Sequence, residues 1–164
     1  CLFPDCDTAE ACSRQGEKAR PPVKNNPRIY GHQLCLDELD RPVGEVEPLL
    51  LNATTIPLTQ APALVREYGG VCYPAHIDKA ANSILAILGA IPPECEDLFD
   101  AVEVSPRYEI GLLPAVETAR QNRRTVVSSD AHYLWDIAEA EHPFEPGDDS
   151  LSRLVLASLG KQPL

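Results

Sequence analysis

The sequence predicts an α/β fold made of successive βα units, hence a parallel sheet or a segment of a barrel. Two observations predict it. Beyond residue 70, short apolar runs of strand length at 71–73, 101–104 and 125–128 alternate with segments of helical character near 83–88, 114–122 and 134–140. The first two units are also punctuated by glycine or proline: Pro74 closes the first strand, Gly89, Pro92 and Pro93 stop the helix after it, and Pro114 opens the next one. The first third reads differently. Asp7 and Glu10 have the form of a capping box, predicting a short helix to about Ala19 that Pro21 and Pro22 stop. Asn25, Asn26 and Pro27 predict a loop. Residues 32–38 and 42–46 predict a hairpin, with Asp40 as the turn former. A helix at 61–68 ends at Gly69 and Gly70, and a last helix runs from Ser150 as N-cap to Leu159, with Gly160 and Pro163 as its stop.

Composition narrows the function classes. The 164 residues carry 14 Lys and Arg against 25 Asp and Glu, a net charge of −11. A chain this acidic is a poor duplex nucleic-acid binder, since such proteins gain affinity by neutralising phosphates. Apolar residues at 44% and charged residues at 24% are those of a chain that buries a core rather than staying disordered. No apolar run approaches the length of a membrane span and the N-terminus has no signal-peptide pattern, so a soluble, cytoplasmic protein is expected. Cys1, Cys6, Cys12, Cys35, Cys72 and Cys95 are irregularly spaced with no C-x-x-C pair, which predicts reduced, structural thiols. The absence of Met and the start at Cys1 suggest a processed or truncated chain.

In parallel α/β architectures ligands bind outside the carboxyl ends of the strands. The first predicted strand exits into Pro74, Ala75, His76, Ile77, Asp78 and Lys79. The second exits into Ser105, Pro106, Arg107 and Tyr108, and the third into Ser128, Ser129, Asp130, Ala131, His132 and Tyr133. Asp130 and His132 stand two apart, so an extended segment points both to one side, where a carboxylate and an imidazole can share a divalent Zn, Mn or Fe ion. His76 would add a ligand from another strand end. The plainer reading is a polar turn in which Asp130 caps the next helix and His76 is structural.

Together, Tyr73-Pro74-Ala75-His76-Ile77-Asp78-Lys79, Asp100-Ala101-Val102-Glu103-Val104-Ser105 and Val127-Ser128-Ser129-Asp130-Ala131-His132-Tyr133-Leu134 resemble the C-terminal motifs of the PHP domain, the polymerase and histidinol phosphatase superfamily of metal-dependent phosphoesterases. The resemblance covers roughly residues 70 to 140, and the stretch from Leu2 to Asn52 is similar to one bacterial branch. It implies the later strands of a distorted (β/α)7 barrel, with an N-terminal helix and hairpin insertion in residues 1–60 and the motif-bearing βα units in 61–164, all within one domain. It implies that His76, Asp130 and His132 are ligands in a cluster of two or three divalent ions, which binds phosphate and activates water. The family's other ligands lie upstream in an H-x-H pair, an Asp-His pair, a Glu and a further His. No H-x-H occurs in this chain.

Arg107 can clamp a substrate phosphate or pair with Glu103 or Glu109, and Lys79 can neutralise phosphate or be a solvated charge. Ser105 and Ser129 are hydrogen-bond donors to a ligand or turn formers; His32 and His142 are assigned to structure or surface. Trp135 is expected to pack its helix on the sheet, and the acidic run Glu139, Glu141, Glu145, Asp148 and Asp149 to be a solvated face. The leading function is hydrolysis of a small phosphate monoester, a nucleotide among the candidates. The alternatives are a non-catalytic regulatory remnant lacking the upstream ligands, and a nuclease or proofreading-type domain. No membrane partner is expected.

Overall fold

The computed structural model describes residues 1–121, 123–139 and 141–158, with side chains as far as residue 155. Helix α1 (Cys6–Lys18) is capped by Asp5, whose carboxylate accepts from the Thr8 amide at 2.8 Å. The cap is therefore two residues earlier than the Asp7–Glu10 box predicts; Asp7 lies inside the first turn, where a carboxylate favours the helix dipole. That amide bond is also the main reason the Asp5 carboxyl lies below its ordinary range. The predicted loop at Asn25–Pro27 instead starts a four-residue helix, α2 (Pro27–Tyr30): Asn26 caps it and Pro27 takes the first helical position, where its missing N–H costs nothing.

Strands β1 (Leu34–Leu36) and β2 (Pro42–Glu45) form an antiparallel hairpin with a bulge after Cys35. Asp40 adopts a left-handed φ of 58°, but Asp37 clasps the turn, accepting from the Leu39 and Arg41 amides at 2.9 and 3.0 Å. Every hairpin residue in these strands is exposed.

Helix α3 (Ala61–Glu67) is terminated by Gly69 at φ 72°. Gly70 is required for closeness: a Cβ there would meet the Leu2 carbonyl and the Phe3 ring at 2.7 Å. The contact arises because Leu2 and Val71 exchange backbone hydrogen bonds of 3.0 Å, an isolated antiparallel bridge. The predicted strand at 71–73 is thus this single bridge. The segment after it docks on the next strand irregularly, because Pro74 has no N–H to give and His76 turns to a φ of 32°.

Helix α4 (Ile84–Leu88) is capped by Ser83, whose buried hydroxyl accepts from the Ala86 amide at 3.1 Å and donates to the Lys79 carbonyl at 2.7 Å. Strand β3 (Ala101–Val104) is the most deeply buried element among the described residues, and β4 (Arg124–Val127) pairs with it in parallel, Ala101 opposite Arg124 through Val104 opposite Val127. Between them α5 (Pro114–Arg120) packs Val116 and Ala119 against the cluster that holds Val102 and Val104. Ala101, on the other face, meets Leu151 of α6 (Ser150–Ser158). This alternation is the period of two of a strand covered on both sides.

Among the described residues the sheets are two two-stranded ladders, one antiparallel and one parallel. Two further expectations change. The helix predicted at 134–140 is one 3-10 turn, Leu134–Asp136, and Trp135 is 80% exposed rather than packed on the sheet; Leu134 and Ile137 also face outward, so no apolar stripe exists to dock a longer helix. Asp149, not Ser150, caps α6, accepting from the Ser152 amide at 2.8 Å, while Ser150 donates to Asp100. The predicted stop at Gly160 and Pro163, and the endpoints Asn122, Ala140 and Leu159, lie outside the described residues. All six cysteines are free thiols; Cys12, Cys72 and Cys95 are buried, which pushes their thiol pKa values up. No helix among the described residues is long and apolar enough to cross a membrane.

Ile77 is 1% exposed at the junction of this core with the site loop. Ile77→Ala is expected to cost about 2–5 kcal/mol in urea denaturation, and Ser83→Ala about 1 kcal/mol through loss of the cap.

Candidate metal and phosphate site

Parallel pairing sets the carboxyl ends of β3 and β4 side by side, and the 74–79 segment lies along the free edge of β3. The Glu103 amide donates to the Pro74 carbonyl at 3.1 Å, and the Ile77 amide donates to the Glu103 carbonyl at 2.8 Å. A regular parallel ladder would use residue 76 in place of 77. The extra residue is His76, whose own amide donates to the Glu103 carboxylate at 3.1 Å. The bulge therefore takes His76 out of the ladder, and the residue lines a pocket beside the strand edge.

Two residues after His76, Asp78 ties this loop to the end of β3: its carboxylate accepts from the Ser105 amide at 2.8 Å and the Ser105 hydroxyl at 2.5 Å. Lys79 then reaches the loop after β4, where its ammonium lies 2.5 Å from Asp130 Oδ2. That hydrogen bond is the first reason the Asp130 carboxyl sits below the usual carboxylate range, with His76 and His132 adding smaller positive contributions. His132 Nε2 is 3.7 Å from Asp130 Oδ1. His76 and Asp130 are both non-glycine residues at positive φ, 32° and 48°, a conformation that costs free energy and concentrates at functional positions.

These loops enclose two adjoining pockets. One, of about 600 Å³, is lined by His76, Lys79, Asn82, Asp130 and His132. The other, of about 540 Å³, shares Lys79, Asp130 and His132 and adds Ser105, Arg107, Ser129 and Trp135. The five residues singled out in the sequence thus surround one place: His76 faces the first pocket, Arg107 the second, and the other three form the wall between them. Arg107 is exposed and makes no ion pair among the described residues; Glu103, one of its suggested partners, is occupied with His76. Its loop is anchored by Tyr108, whose hydroxyl donates to Glu117 at 2.5 Å. His32 pairs with Glu45 in the hairpin at 2.9 Å, consistent with a structural role.

Three positioning residues escaped the sequence reading: Glu103, Asp78 and Ser83. Glu103 had a signal, a carboxylate between two valines in a buried strand.

The donor chemistry suits a divalent cation in part. Imidazole and carboxylate are offered together, and His76 Nδ1 is buried with no hydrogen-bond partner, a deficit that folded proteins rarely leave. Among the described residues, however, no three His, Cys, Asp or Glu side chains already converge at ligating distance, and Lys79 neutralises Asp130. The set is a partial one. Compared with family models, curated proteins and solved structures, the chain has no match.

Because Lys79 favours the Asp130 carboxylate, the ion pair stabilises the fold above the ordinary carboxylate range and is lost as pH falls towards the lowered pKa. Lys79→Met is expected to return the Asp130 titration upwards towards its ordinary value, read by carboxyl-carbon NMR, and to flatten the acid limb of the stability profile.

Proposed function

We propose that this chain contributes the site of a metal-dependent phosphoesterase of the PHP type, acting on a small phosphate monoester. The observation that supports it most is the convergence of His76, Asp130, His132, Lys79 and Arg107 on two adjoining pockets at the carboxyl ends of parallel strands. His76, Asp130 and His132 are the residues that would hold divalent ions, Mn, Zn or Fe, within a fuller cluster of two or three. Such ions, when bound, lower the pKa of water and polarise the phosphoryl group.

The chain's own groups do the rest. Arg107, with its guanidinium unpaired among the described residues, offers two parallel N–H donors to phosphate oxygens. With Asp130 holding a cation, Lys79 no longer has to neutralise that carboxylate and its ammonium is available to the substrate. The ties from Asp78 to Ser105 and from Ser83 to Lys79 keep the two loops in register, so these charges are placed before the substrate arrives. The surrounding charge of −11 disfavours long polyanions and makes a small ester the better substrate than duplex nucleic acid.

Metal analysis of the protein, followed by a phosphatase panel, tests this. Mn, Zn or Fe should co-purify or bind, chelation should abolish hydrolysis, and His132→Ala and Asp130→Ala should each lower it at least about tenfold. Absence of bound metal with hydrolysis unchanged in His132→Ala would overturn the reading. The Lys79–Asp130 pair favours a second one, a non-catalytic regulatory module in which the ammonium permanently replaces the cation. A folded protein that binds no divalent metal and hydrolyses nothing would support it.

A further inference from the structure

The 3-10 turn after His132 leaves an aromatic pair in solvent. Tyr133 and Trp135 stack with ring centroids 4.9 Å apart and planes within 3°. Trp135 is still 80% exposed and Tyr133 61%. A ring with one face on a neighbour that keeps four-fifths of its surface in water has its other face open. Trp135 forms an exposed apolar patch with Tyr133, Leu134 and Ile137 beside a polar pocket, and contiguous exposed patches of this kind mark binding surfaces. Trp135 is part of the wall of the 540 Å³ pocket, along with Arg107, Lys79, Ser105 and Ser129. That volume is within the range of small-molecule sites.

We propose that this pocket binds a nucleoside monophosphate, its planar base stacked on the open face of Trp135 and its phosphate on Arg107. The inference deepens the phosphoesterase reading and rests on it for the claim that the nucleotide is a substrate. Three features argue for this ligand class. An indole face is a platform for any planar ring, and stacking a base there is favourable without base-specific hydrogen bonds. Tyr133, parallel behind it, fixes the indole's orientation, which lowers the ordering cost of binding. The guanidinium of Arg107 makes no ion pair among the described residues and lines the same pocket as Trp135. The carboxylates of that pocket are Asp130 and Asp136, with Asp130 held by Lys79, so one ligand carrying both a ring and a phosphate satisfies both. An aliphatic phosphate would leave the indole wet, and a free base would leave the guanidinium unmatched.

Trp135 is the sole tryptophan, so intrinsic fluorescence of the full chain reports on this ring alone. Titrations with adenosine monophosphate, adenosine and ribose 5-phosphate, each run with chelator and with Mn, read the stacking separately from any hydrolysis. Adenosine monophosphate should quench saturably. Adenosine should quench with at least about tenfold weaker affinity. Ribose 5-phosphate should leave the emission unchanged and displace adenosine monophosphate. Arg107→Ala should reduce the nucleotide's affinity to that of adenosine, and Trp135→Ala, followed by calorimetry, should reduce it about tenfold. Quenching that rises linearly with the slope seen for N-acetyltryptophanamide, or a nucleotide affinity unchanged in Trp135→Ala, would overturn the proposal. Saturable, Arg107-dependent quenching with no metal binding or hydrolysis would keep the nucleotide site and reject the phosphoesterase. Metal-dependent hydrolysis at equal rates for both phosphates, without quenching, would do the reverse.

Discussion

The main chain of Glu103 bonds outward to Pro74 and Ile77 while Val102 and Val104 on either side of it are sealed in the core. This one residue joins the most buried strand to the least regular segment, and its carboxylate closes the extra loop by accepting from the His76 amide. A buried strand cannot shift register by a single residue without turning its apolar side chains to the wrong face. Whatever hangs from Glu103 is therefore fixed as firmly as the core itself. The position of His76, the reach of Lys79 from the same loop, and the clasp of Asp78 on Ser105 all depend on it.

From that anchor the site is a problem of charge balance. Asp130, held in a left-handed turn at the end of β4, carries a carboxylate that two histidines and a lysine approach. The nearby ammonium favours the ionised carboxylate, as the lowered Asp130 pKa reflects. Lys79 supplies the positive charge here, and in the proposed reaction a divalent ion would share that duty. In the proposed reaction this arrangement would link metal binding to phosphate binding through one side chain, Lys79, which would serve either the carboxylate or the substrate.

How much of this the sequence disclosed depends on the range of the interactions. Strands β3 and β4 and helices α3 and α4 lie where the apolar runs, glycines and prolines put them, because those patterns are local and the core rewards them. The hairpin arms were legible for the same reason. Helix caps were legible only in kind: for α1 and α6 a capping side chain lies near the expected start, but backbone geometry selects Asp5 over Asp7 and Asp149 over Ser150. The strand expected at 71–73 shrinks to one bridge because Pro74 and the turn at His76 break the ladder beyond it, although Val71 and Cys72 are buried, whereas the helix expected at 134–140 fails because its apolar side chains find no partner surface. At the site, residue types at strand ends were readable one by one. Their pairing was not, since Lys79 meets Asp130 across 51 positions and Glu103 meets His76 across 27.

The hairpin of β1 and β2 offers a different kind of consequence. Its strands bury nothing; Gln33 clasps its base, donating to the Val46 and Pro48 carbonyls and accepting from the Leu50 amide, and the backbone of residues 23–25 pairs with that of 47–49 just beyond it. Because no side chain of the β3 core or of the site loops takes part, lengthening or reshaping its turn at Asp37–Arg41 leaves the pocket untouched. The hairpin is thus where this chain can vary in length, or accept an inserted peptide or a fluorescent label, at little cost to the geometry around Asp130.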